Sequence, residues 1–172
     1  MSFNYNYIYN IAIKTIKKHN TTDPKSILED RNVHIMPFVS PTRLLGMFTL
    51  IKRNKFVFYN PNADENTLKM VFAHELGHDI LHSNMKDIRF AEYTLFDINS
   101  EMELEANIFA SHLLLNEDEI LNYAKLGYNY NQIASTLGVN INLLIFKLNE
   151  MQRQGCNINS SGLIADYKFL KK

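Results

Sequence analysis

The stretch VFAHELGHDILH, Val71 to His82, sets three histidines and a glutamate among apolar residues. Apolar side chains continue on every side of it: Leu68, Met70, Val71, Phe72, Leu76, Ile80 and Leu81. A helix that is apolar all round is central and buried. Its start is marked by Asn62 to Glu65, which has the spacing of a capping box. The helix is expected to run through His82. Buried histidine and glutamate carry a desolvation cost that needs a partner.

Within that helix, His74 and His78 are one turn apart, about 40° round the axis. Both imidazoles can reach one metal ion. Glu75 is offset by one residue's rotation, so it does not compete for the same ligand position. This is the HExxH arrangement, two histidine ligands flanking a general base. Two imidazoles and a carboxylate around zinc leave one tetrahedral position for water, whose proton Glu75 can accept. HExxH fixes only three residues and also occurs by chance; the buried helix around it favours the metal reading. Gly77, a weak helix former inside the motif, permits close approach of substrate or another backbone. His82 lies about 12 Å beyond His74 along the axis. A straight helix cannot bring all three histidines to one ion, so His82 is expected to support a ligand or to pack.

A third ligand is sought downstream in SEMELEANIFASHLLLN, Ser100 to Asn116. With Glu103 as reference, Asn107, Ala110, Leu114 and Ala106 all fall within about 60° of it. That face suits packing against another helix. Glu105 falls near 200°, with Glu101 and His112 beside it on a face read as polar and solvated. Glu103 is therefore the carboxylate on the buried side, where a metal would offset its burial. Glu105 is the runner-up. Asn107, one turn on, can hydrogen-bond a ligand histidine and orient it.

These residues resemble a known family. HELGHDILH together with ELEANIFASHLLL is similar to the ImmA/IrrE metallopeptidases of bacteria and phages, and the two blocks are far more specific than HExxH alone. The resemblance covers roughly Pro24 to Asn116. The family pattern usually continues LLMP, where this chain has Leu114-Leu115-Asn116. The resemblance implies a regulatory metalloprotease with a narrow protein substrate, such as a helix-turn-helix transcriptional repressor of a mobile element or stress system. It also implies an α+β, zincin-like, glutamate-liganded fold.

The rest of the chain fits such a fold. Ile8, Ala12 and Ile16 mark a first helix from about Tyr5 to His19. Asp23-Pro24 caps a short second helix to about Asp30. VHIMPFV, LLGMFTLI and FVFY read as a small antiparallel sheet, with Lys52 to Lys55 as a hairpin turn. Residues 83–99 read as a loop with a short element inside. After Asn116 the pattern is helical, giving a core of residues 1–125 and a mostly helical C-terminal segment, 126–172, packed on it as one compact unit.

Composition narrows the function classes. The 172 residues are 46% hydrophobic and 21% charged, with 18 basic and 18 acidic residues and no net charge. Nothing global draws such a chain to nucleic acid. No apolar run is long enough for a membrane span and no secretory signal is evident, so a cytoplasmic location is expected. Cys156, the single cysteine, excludes an internal disulfide, and its surroundings do not suggest a catalytic thiol. Gln132 to Leu148 has a helix-turn-helix look, but its second helix offers only Lys147 as a basic residue, so DNA binding is not expected. Tyr93, Tyr123 and Tyr128 are candidates for steadying an oxyanion. His19, His34 and His112 read as ordinary surface or internally satisfied residues. The rival reading is a metal-binding regulatory or interaction module without peptidase turnover.

Overall fold

The computed structural model describes residues 5–83, the backbone of 89–92, residue 96 and residues 100–156. The chain divides into two compact units, Met1–Leu114 and Leu115–Lys172. Residues 117–125, grouped with the core on sequence, fall in the second unit.

In the first unit, helix α1 spans Tyr5–His19 and α2 spans Pro24–Asp30. Asp23 caps α2 by accepting from Ser26 N, and Pro24 sits at the helix start, where no backbone donor is needed. Strands β1 (Val33–Pro37), β2 (Gly46–Ile51) and β3 (Asn54–Tyr59) follow, then helix α3 (Glu65–Leu81), strand β4 (Arg89–Glu92) and helix α4 (Glu101–Leu114). The cap of α3 is Asp64, which accepts from Thr67 N at 2.9 Å, rather than Asn62. The Asn62 side chain would have opened the helix two residues early; the Asp-x-x-Thr spacing serves the same purpose two residues closer to the apolar run.

The sheet is mixed, in the order β1-β3-β2-β4, and not antiparallel throughout. β2 and β3 form a hairpin across Lys52 and Arg53, both at positive φ, the backbone sense that matches strand twist in a two-residue turn. β1 does not extend that hairpin from the β2 side. It pairs parallel to β3, with Val33 opposite Lys55 and Pro37 opposite Tyr59. Residues 38–45 make this possible by crossing over the end of β3 to reach β2. Asn60 holds the crossing in place, donating its side-chain amide to the carbonyls of Thr42 and Leu44.

α3 packs against α2, α4, β2 and β3, so Met70 to Asp79 are buried without a break. Its buried apolar residues include Val71, Phe72 and Leu76, and the sheet and α4 that pack on it bury Phe48, Val57, Phe109 and Leu113. α4 is covered on its other side by α1. That cover corrects the sequence reading of His112. The residue is 3% exposed, with its ring edge-on to Tyr9 at 5.1 Å. Helical rotation alone could not show that the N-terminal helix would lie over this face.

The second unit holds α5 (Glu117–Lys125), α6 (Tyr130–Thr136) and α7 (Ile141–Arg153) around Ile120, Ile133, Leu143, Leu144 and Met151. Asn116 caps α5, accepting from Glu119 N, which gives a role to the residue that departs from the LLMP pattern. Lys147 is 3% exposed and bonds Glu117 at 2.8 Å, so this basic side chain of α7 is directed into its own unit. Among the described residues no helix is long and apolar enough to cross a membrane.

Candidate metal centre

α3 and α4 carry the site. They meet where Gly77 passes Ala106: a Cβ built on Gly77 would lie 3.0 Å from Ala106 Cα and 3.2 Å from its carbonyl oxygen. The missing side chain lets the two backbones approach. That closeness delivers Glu103 of α4 to the histidines of α3.

His74 Nε2 lies 3.0 Å from His78 Nε2 and 3.1 Å from Glu103 Oε2, and His78 Nε2 lies 3.5 Å from the same oxygen. The two imidazoles are edge-to-face, 4.6 Å between centroids. Both are buried, and the Glu103 side chain is 15% exposed. Ligands of a tetrahedral ion with bonds of about 2.0–2.1 Å sit about 3.3–3.4 Å apart. The three observed separations bracket that value. His74, His78 and Glu103 are the set of His, Cys, Asp and Glu side chains, among the described residues, that could hold a metal ion.

The protonation of the cluster suits a cation. Burial pushes His78 down from an ordinary 6.5 to about 3, against the opposing pull of Glu103, so its imidazole is neutral. Burial by itself would raise Glu103; the close approach of His74 and His78 outweighs it and holds the carboxyl below the usual carboxylate range. Neutral imidazole and ionised carboxylate are the forms that ligate metals. Asn107 Oδ1 lies 2.8 Å from His74 Nδ1. An amide oxygen only accepts, so the His74 hydrogen sits on Nδ1 and its Nε2 lone pair points at the cluster.

Glu75 is fully buried. A Cβ built on Gly46 would stand 2.7 Å from Glu75 Oε1 and 2.4 Å from Val71 Cγ1. The first residue of β2 thus has no room for a side chain beside the carboxylate. In sequence Gly46 lies within the run LLGMFTLI, and a glycine in a strand signals that another group approaches closely. The ring of Phe96 stands edge-on to that of His74, 6.3 Å between centroids.

Two further residues gain their partners only in the folded structure. Asp79 was not singled out, yet it is fully buried and paired with Arg31 and with Lys55, whose Nζ is 2.7 Å away. It ties α3 to the end of α2 and to β3. Glu105 was placed on a solvated face; it bonds His82 Nε2 at 2.8 Å instead. Tyr93 lies outside the described residues. Tyr123 and Tyr128 belong to the second unit, their rings 5.5 Å apart.

Residues 28–149 match the IrrE N-terminal-like domain. The chain belongs to the ImmA/IrrE family of metallopeptidases. This family member is 31% identical over 135 residues to Uncharacterized immunity region protein 2 of Bacillus phage phi105, covering 78% of this chain and 85% of the relative. It is 25% identical over 139 residues to Metallopeptidase ImmA of Bacillus subtilis (strain 168), covering 79% of this chain and 80% of the relative. The family and the His-His-Glu cluster together point to a metal.

Proposed function

We propose that this ImmA/IrrE protein is a zinc-dependent regulatory metalloprotease with a zincin-like core. Its substrate is a specific protein, a helix-turn-helix transcriptional repressor of a mobile element or stress system, met in the cytoplasm. The observation that carries the reading is the convergence of His74 Nε2, His78 Nε2 and Glu103 Oε2 beside a fully buried Glu75. The names of the relatives, one from a phage immunity region and one a metallopeptidase, support a regulatory setting.

His74 and His78 would hold the ion through Nε2 and Glu103 through a carboxylate oxygen. When bound, zinc supplies Lewis acidity toward a peptide carbonyl and toward water. Glu75 takes a proton from the attacking water and returns it to the departing amine as the C–N bond breaks. The absence of a side chain at Gly46 leaves room for the Glu75 carboxylate, and Asn107 keeps His74 in the ligating tautomer.

The test uses the purified zinc-loaded protein and the repressor encoded beside its gene. Cleavage by the wild type and not by Glu75→Gln supports the protease. Tight binding by both without cleavage would establish the rival, an interaction module without turnover. Glu103→Ala should abolish stoichiometric zinc; full retention would remove Glu103 from the ligand set.

A further inference from the structure

A hydrogen-bonded chain runs behind His78, away from the ligand cluster. His78 Nδ1 is 3.0 Å from His82 Nδ1, and His82 Nε2 is 2.8 Å from Glu105 Oε2. His82 is the residue that ends α3, one turn beyond His78, and is 2% exposed. Glu105 comes from α4, with its side chain 29% exposed. The direction of each hydrogen bond follows from its far end. A carboxylate accepts, so the hydrogen of His82 sits on Nε2. With that one ring hydrogen, His82 has its lone pair at Nδ1. His78 must donate to it from Nδ1, which leaves the His78 Nε2 lone pair facing His74 and Glu103.

The opposite assignment has the same heavy-atom positions and the opposite consequence. With its hydrogen on Nδ1, His82 would donate to His78 Nδ1. The hydrogen of His78 would then sit on Nε2, bonded toward Glu103, where it blocks a metal. We propose that Glu105 is a positioning residue for the metal centre, setting the tautomer of His78 through His82. The inference rests on the metal-site reading. It also explains why α4 supplies two carboxylates with different duties: Glu103 reaches the cluster and Glu105 reaches its support. His74 is held by a neutral amide and His78 by a relay that ends in a charge.

The tautomers are read by nitrogen-15 NMR on metal-free protein, and zinc affinity by competition with a chromogenic chelator. In the wild type, His78 should carry its hydrogen on Nδ1 and His82 on Nε2. Glu105→Ala should mix the tautomers and weaken zinc about 10–100-fold, the usual effect of losing such a support. Glu105→Gln should restore both, because its amide oxygen accepts the same bond. Equal zinc affinity and unchanged tautomers in Glu105→Ala would overturn the proposal, as would Glu105→Gln failing as badly as Glu105→Ala. Should Glu105→Ala not fold, the wild-type spectrum still decides: reversed tautomers in a zinc-binding wild type overturn the relay alone. A wild type that takes up no zinc overturns the metal site itself.

Discussion

Gly77→Ala reverses the usual sign of a helix substitution. In an exposed helix interior, replacing glycine by alanine stabilises by about 1 kcal/mol, through propensity alone. Here the new Cβ would stand 3.0 Å from Ala106 Cα and 3.2 Å from both its Cβ and its carbonyl oxygen. Two of those three atoms are backbone, so no rotamer change relieves the contact. α3 and α4 must separate by roughly half an ångström to restore ordinary contact. Overpacking of this kind costs about 1–3 kcal/mol, which exceeds the propensity gain. The net loss is about 0–2 kcal/mol, or up to about 8 °C in Tm for a chain of this size. Metal binding should suffer more than stability, since ligand distances tolerate only about 0.2 Å. The assay is thermal unfolding with and without zinc, together with zinc titration of the folded variant. A Tm raised by a few degrees with full zinc content would refute the reasoning.

Gly46→Ala puts a Cβ 2.4 Å from Val71 Cγ1 and 2.7 Å from Glu75 Oε1. Peptide cleavage should fall while zinc content stays near stoichiometric, measured by kcat alongside metal analysis; unchanged kcat would show that Glu75 is placed by something else. Metal-free protein should lose stability as pH falls below 6.5, because His78 is protonated in the unfolded chain there and stays neutral in the fold down to about 3. The unfolded state binds the extra proton, so this residue adds a slope that approaches about 1.4 kcal/mol per pH unit toward pH 5, seen as an excess over His78→Gln in urea unfolding between about pH 5 and 6.5. Saturating zinc should raise stability across that window. Asp79→Ala removes the partner of Arg31 and Lys55, whose side chains remain 23% and 28% exposed. Because water can reach both cations, the loss should be about 1–3 kcal/mol rather than that of a sealed ion pair, read by urea unfolding.

Periodicity and capping residues were enough to place the helices. Tyr5–His19 and Pro24–Asp30 coincide with their sequence expectations, since local spacing and a proline at a helix start are local physics. The spacing in HELGH also places two imidazoles on one side of α3, and rotation within ELEAN separates Glu103 from Glu105. What rotation cannot convey is which neighbour covers each face. α1 lies over the side of α4 that read as solvated, burying His112, and Glu105 reaches across to His82. The parallel pairing of β1 with β3 depends on a crossing held by Asn60, a contact 16 to 18 residues away in the chain. The roles of Gly46 and Asp79 likewise exist only against Glu75, Arg31 and Lys55, brought from other elements. The chain alone therefore determined the chemistry available on α3 and α4. Only tertiary packing decided how those donors are aimed, because ligand geometry is set by the gap between two helices that a single missing side chain, at Gly77, keeps small.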